Sequence, residues 1–152
     1  MTAQPRPPVE IPASADVDVR RASLDLIESC GVAIVGSLGP DGRPWTKGML
    51  KLETEDLKTV WFSTNTSSSR VAQFQADSRA SVYFVDMVDY RGLLLLGTME
   101  VLRDCASRER LWRDGFEIYY PLGVDDPDHA VLRFTAESGN YYHGLKNTTF
   151  TV

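Results

Sequence analysis

The segment Val60-Trp61-Phe62-Ser63-Thr64-Asn65-Thr66-Ser67-Ser68-Ser69-Arg70-Val71-Ala72-Gln73-Phe74 carries the side chains best suited to hold an anion. A short apolar strand runs into a hydroxyl-rich turn, then into a helix with a cation in its first turn. Backbone N–H groups at a helix start have no intrahelical acceptors, and the positive end of the macrodipole favours negative charge there. The hydroxyls of Thr66 to Ser69 add donors, and Arg70 adds a planar, permanently charged fork suited to phosphate oxygens. Taken alone, the segment is an ordinary Ser/Thr N-cap followed by a surface Arg.

Its upstream neighbour tilts the reading towards a phosphate. The run Gly36 to Gly42 is a turn signal between two strand-like segments, Val32 to Leu38 and Trp45 to Leu52. The second segment carries Lys47 and Lys51 with Gly48 between them. A third strand, Lys58 to Ser63, would bring Lys47 towards the Ser/Thr-Arg turn. Lys47, Lys51 and Arg70 could then form the local basic cluster that a bound anion needs. That cluster matters because the chain as a whole is acidic, with 16 basic against 21 acidic residues and a net charge of −5. Such a balance argues against nucleic acid or anionic membranes as main partners.

A chain of 152 residues, 43% hydrophobic and 24% charged, is expected to form one soluble domain with one core. Cys30 and Cys105 show no metal or redox spacing and are expected to be reduced and structural. The longest apolar run, Leu93 to Leu96, is too short to span a bilayer, so cytoplasmic residence is the default expectation.

Residues 1–14 are Pro-rich and unpatterned, and are expected to be a flexible or surface-draped arm before a single domain spanning 15–152. An amphipathic helix is expected to begin around Ser14 or Asp16. Val19, Ala22, Leu26, Ile27 and Cys30 lie on one face, and Gly31 stops it. After the hairpin and third strand, the pattern predicts a helix over Ser68 to Ala76, strands over Ala80 to Val85 and Gly92 to Arg103, and a helix over Cys105 to Asp114. A long strand over Ala130 to Thr135 and a short one through Asn140 to His143 complete the set. The composite is mostly β, a six- to seven-stranded antiparallel barrel with helices. No G-x-G-x-x-G fingerprint follows a strand, which counts against a dinucleotide fold.

These elements, in this order, resemble the pyridoxamine 5′-phosphate oxidase-like superfamily of FMN-binding split β-barrels, and within it the branch of general stress proteins and oxidase-related flavin proteins. The residues that carry the resemblance are Pro44-Trp45-Thr46-Lys47, Trp61-Phe62-Ser63-Thr64 through Ser68 and Arg70, and Asp77-Ser78-Arg79 with Val82. Further along come Gly97 with Val101, Leu111-Trp112, Tyr120-Pro121-Leu122-Gly123 with Asp126-Pro127, and Asn140-Tyr141-Tyr142. The match runs from about residue 17 to 143.

The resemblance implies FMN as cofactor, bound at the interface of a homodimer. It implies that Lys47 lies near the FMN phosphate, where an Arg is commoner, and that Gly48 and Met49 lie beside the flavin with their backbone groups. Ser63 and Thr64 match positions that approach the isoalloxazine and ribityl chain. Ser68, Ser69 and Arg70 match the phosphate-holding turn, with Ser69 standing where the authentic oxidases often carry a second base. Tyr142 matches an aromatic that reaches the cofactor of the partner subunit.

The departures bear on activity. True pyridoxamine-phosphate oxidases end in an Arg/His-containing segment that grips the vitamin phosphate, whereas this chain ends Lys146-Asn147-Thr148-Thr149-Phe150-Thr151-Val152. Leu52 stands where those enzymes use a basic substrate contact, with Lys51 adjacent. Vitamin B6 oxidation is therefore not expected. The expected function is that of an FMN-dependent oxidoreductase of open substrate, with a nicotinamide compatible as electron donor. Alternatives are a non-enzymatic flavin-binding stress-response protein, or a deazaflavin- or haem-binding relative. Asp125 to His129 reads as a solvated acidic turn and not a metal site, His129 and His143 lack zinc spacing, and Trp61, Phe62, Tyr83 and Phe84 read as core strand residues. Leu93 to Leu96 is apolar on both strand faces, so one face needs cover, either from a partner subunit or from the N-terminal helix of the same chain.

Overall fold

The computed structural model describes residues 18–152. The expected arm over 1–14 and the expected helix start at Ser14 or Asp16 lie outside the described residues. The elements in chain order are α1 Val19–Ser29, β1 Val32–Leu38, β2 Pro44–Leu50, β3 Glu53–Glu55, β4 Thr59–Asn65, α2 Ser69–Ala76, β5 Arg79–Asp86 and β6 Arg91–Leu102. They continue with α3 Cys105–Leu111, a 3-10 turn Phe116–Ile118, β7 His129–His143 and β8 Lys146–Thr151. The strands form one antiparallel sheet in the order β2-β1-β5-β6-β7-β4-β3, with β8 paired to β7. The sheet curls into a split β-barrel, as expected, but the ladder does not close: β2 and β3 are its two ends.

Alternation on β6 shows how the curl is filled. Leu93, Leu95 and Met99 are buried on the inner face with Phe62, Val82, Phe84, Leu132 and Phe134. Leu26 and Ile27 of α1 belong to the same cluster, so α1 plugs the inner side. Its first turn is fixed by Asp18, whose carboxylate accepts the Arg20 and Arg21 N–H groups at 3.0 and 3.4 Å. The outer face of the same strands is open: Val32, Ile34, Leu50 and Leu96 are 57%, 37%, 55% and 47% exposed. Of the two covers expected for Leu93 to Leu96, α1 therefore serves the inner face alone. Tyr83 also lies on the outer side and is only half-buried, unlike its expected place in the core.

The sequence pattern divides what the structure makes continuous. The expected strands Ala130 to Thr135 and Asn140 to His143 are one strand, β7, bent at its middle. Between Leu96↔Ser138 and Gly97↔Ala136 the register slips and leaves Glu137 over, which is a β-bulge. The polar stretch Glu137-Ser138-Gly139 that looks like a strand break is this bulge. The extra residue is tied down, since Val152 N–H donates to the Glu137 carbonyl at 3.0 Å and Ala136 N–H to the Lys58 carbonyl at 2.7 Å. Strands β3 and β8 were not anticipated: the first is short and polar, the second reads Lys-Asn-Thr-Thr and draws its order from pairing to β7. Helix α3 ends at Leu111, short of the expected Asp114, because Trp112 takes extended backbone (φ −63°, ψ 139°).

Gly97 is where the bulge needs a glycine. A Cβ there would lie 1.9 Å from the Thr135 carbonyl oxygen, a backbone atom that cannot swing aside. Gly48, by contrast, would meet only Val32 Cγ1 at 3.5 Å, an ordinary contact. The expected outcome is that Gly97→Ala loses about 2–3 kcal/mol in a urea unfolding curve while Gly48→Ala stays near wild type.

Candidate functional site

The open seam of the barrel is a cleft of about 290 Å³ lined by Lys47, Gly48, Met49 and Leu50 of β2, Leu52, Ser63 to Asn65 of β4, Arg70 of α2, and Phe116, Tyr119 and Tyr120. Six of the residues expected at a phosphate-bearing site thus meet in one place: Lys47, Gly48, Met49, Ser63, Thr64 and Arg70. Pairing to β1 sets β2 in register, with Lys47 opposite Val35, and pairing to β7 sets β4, with Ser63 opposite Val131.

Ser68 stands beside the cleft as the N-cap of α2, with extended backbone and no side-chain cap bond. Its hydroxyl instead lies 3.4 Å from that of Thr64, which also accepts from Arg70 Nη2 at 3.5 Å. The first-turn N–H groups of α2 therefore have no side chain folded over them. Arg70 is the unusual member. Its Nε is buried and has no hydrogen-bond partner, and burial lowers the pKa of the guanidinium. Burying part of a cation with no acceptor for its Nε costs free energy, which a bound anion would offset.

Two expected contributors go elsewhere. The Ser69 side chain lines a separate groove on the other side of α2, with Leu38, Trp45 and Gln73. Lys51 is not part of the basic cluster, because its Nζ donates to the Ile27 carbonyl at the end of α1, at 2.5 Å. Tyr142, expected to reach the cofactor of a partner subunit, does not line the cleft of its own chain. Its hydroxyl is 2.6 Å from that of Tyr83 on the outer sheet face, and burial first, with that bond second, pushes the Tyr83 phenol up to about 12.

The hydroxyls at the start of the turn already hold an anion, and it is internal. The Asp128 carboxylate accepts from Asn65 Nδ2 at 2.7 Å, Thr66 Oγ1 at 3.0 Å, Ser67 N–H at 2.8 Å and Ser67 Oγ at 3.1 Å. The bond from Asn65, then those from Ser67 and Thr66, hold Asp128 down at about 2. The acidic turn is thus not merely solvated: Asp126 is 6% exposed and accepts from the N–H groups of Leu122 and Asp128. His129 is buried and gives its Nδ1 to the Val124 carbonyl at 2.9 Å. Cys105, expected to be structural, is exposed at the start of α3.

The aromatic wall Phe116, Tyr119 and Tyr120 is the part of the cleft that the sequence reading did not place there. It follows α3 through Gly115, whose φ of 91° reverses the chain. Tyr120 points its hydroxyl at Ser63 Oγ, 2.8 Å away, and burial raises its pKa so that the phenol keeps its proton. The Tyr120-Pro121-Leu122-Gly123 motif was the available signal; its side-chain direction was not.

The family model for pyridoxamine 5′-phosphate oxidase-like proteins matches residues 18–152. The chain belongs to that family. A Clostridium acetobutylicum protein related to general stress protein 26 of B. subtilis, of the pyridoxinephosphate oxidase family, is 48% identical over 91% of this chain and 97% of its own, with a TM-score of 0.83. General stress protein 26 of Bacillus anthracis shares the fold at 13% identity, covering 88% of this chain and 98% of its own, with a TM-score of 0.74. A haem-binding protein of Mycobacterium smegmatis shares it at 16% identity, covering 91% and 60%, also at 0.74. No curated protein matches the chain. No helix among the described residues is long and apolar enough to cross a membrane.

The Asp128 clamp titrates with a defined sign. Its folded pKa of about 2 lies below the ordinary 3.8, so its contribution is complete above about 4 and is lost as pH falls towards 2. Thermal melts by circular dichroism should therefore show a steeper loss of Tm between pH 4 and 2 in wild type than in Asp128→Asn.

Proposed function

We propose that the cleft binds FMN and that the protein is an FMN-dependent oxidoreductase distinct from the vitamin B6 oxidases. The observation that carries the reading is Arg70, a half-buried guanidinium whose buried Nε lacks a partner among the described residues, beside the uncovered N-terminus of α2. The donor set fits a phosphate monoester. Lys47 and Arg70 supply charge, Ser68, Thr64 and the first-turn N–H groups supply directed donors, and Ser69 contributes its backbone and not its side chain. Ser63 and Thr64 would lie where the ribityl chain meets the phosphate, with Gly48 and Met49 offering backbone groups to the ring. When bound, the flavin supplies two-electron redox chemistry; the chain supplies position, charge and shielding from water.

One chain does not finish the site. A volume of about 290 Å³ is at the lower limit of ligand clefts, roughly 300–1,000 Å³. The exposed apolar face of Val32, Ile34, Leu50 and Leu96 supports a homodimer, in which Tyr142 of one copy covers the flavin of the other. Light scattering at micromolar concentration should find a dimer; an FMN-loaded monomer would contradict it.

A second reading, a flavin carrier without turnover, is favoured by one observation: among the described residues, no carboxylate or imidazole lines the cleft to serve as general base. Rapid NAD(P)H oxidation by the FMN-loaded protein decides for the enzyme. The protein as purified should show a flavin spectrum, not a Soret band or a deazaflavin absorption. Replacing Arg70 by Ala should weaken FMN binding by roughly 1.5–3 kcal/mol and leave riboflavin, which lacks the phosphate, nearly unaffected. An equal loss for both would remove Arg70 from the phosphate.

A further inference from the structure

Tyr120 is 3% exposed, and its ring is held against Trp112, Phe116 and His129 at centroid distances of 6.1, 6.4 and 4.5 Å. His129 is itself locked to the Val124 carbonyl. The phenol oxygen is therefore delivered to the cleft by a rigid aromatic stack. There it meets Ser63 Oγ at 2.8 Å.

Each hydroxyl carries one hydrogen and accepts through its lone pairs. The contact between Ser63 and Tyr120 uses one of the pair's two hydrogens, and neither oxygen has another partner among the described residues. Nearby acceptors are already engaged: Asp128 by Asn65, Thr66 and Ser67, and Asp126 by the Leu122 and Asp128 N–H groups. One O–H hydrogen thus remains to be donated into the cleft, whose lining also includes the Arg70 side chain.

We propose that the Tyr120–Ser63 hydroxyl pair is a ligand-binding element of the cleft, donating its unused hydrogen to a phosphate oxygen beside Arg70; this rests on reading the cleft as the site of a phosphate-bearing cofactor. The pair donates to an anionic oxygen without adding charge. It also explains why a tyrosine stands at the end of the aromatic wall, where a phenylalanine would fill the same space.

Tyr120→Phe deletes this one hydroxyl and keeps the ring, and near-ultraviolet circular dichroism checks that the stack survives. FMN, riboflavin and inorganic phosphate are titrated into wild type, Tyr120→Phe and Ser63→Ala. FMN affinity should fall roughly ten- to hundredfold in Tyr120→Phe, the range for a hydrogen bond to a charged group, with riboflavin unchanged. Ser63→Ala should lose FMN and phosphate affinity in the same direction and serves alone if Tyr120→Phe does not fold.

FMN bound by both variants as by wild type overturns the assignment and leaves the cofactor reading standing. Equal losses for FMN and riboflavin overturn it too, moving the hydroxyl to the ring or ribityl chain. If wild type takes inorganic phosphate but not FMN, the cofactor reading falls, and weaker phosphate binding by Tyr120→Phe still supports the pair. Binding of neither overturns both.

Discussion

The curl of the sheet turns on a single close approach, the backbone of Gly97 against the Thr135 carbonyl, with Glu137 left over in the facing strand. A bulge there increases local twist and bends β7, so its two halves can serve different neighbours. Residues 129–135 pair with β4 and residues 138–143 with β8, while β6 follows both. Without the bend, β4 could not swing round to face β2 across the seam. The cleft is thus a by-product of how the barrel is closed on one side and left open on the other.

Hydrogen bonding then divides the turn between β4 and α2 into two sides, one held by an internal carboxylate and one facing the cleft. Thr66 and Ser67 are given to Asp128, which ties the turn to the loop leading into β7. Thr64 and Arg70 line the cleft, with the Ser68 hydroxyl beside Thr64. The internal carboxylate makes the geometry of the cleft side independent of any ligand, because the turn is already pinned from behind. Glu53 does similar work on the far wall, where Arg110 and Arg113 donate to it at 2.7 and 3.0 Å and fix α3 to β3.

Most of the fold was legible because strand alternation and helix periodicity survive in this chain. The inner residues Leu93, Leu95 and Met99 and the outer residues Leu94, Leu96 and Glu100 separate as a period of two requires. What failed to show were elements stabilised by partners far along the chain: β3, β8 and the continuity of β7 through its bulge. The cleft was legible where charge and backbone coincide, at Lys47, Gly48 and Arg70. It was illegible where side-chain direction decides, which is why Lys51, one position beyond β2, turned out to cap α1. Tyr120 stayed hidden for the same reason, since no local pattern reports that a loop aromatic folds back onto β4.

The unfinished ladder carries a liability of its own. The outer edge of β2 presents N–H and C=O groups that no strand among the described residues takes up, and such an edge invites addition of a foreign strand without end. Pro44 at its head lacks an N–H to offer, and Lys47 puts a charge in mid-strand. The lysine that gives the cleft its cation is therefore also a gatekeeper against open-ended assembly. A sequence drifting towards an apolar, proline-free β2 would gain strand propensity and lose, together, its protected edge and the cation of the cleft.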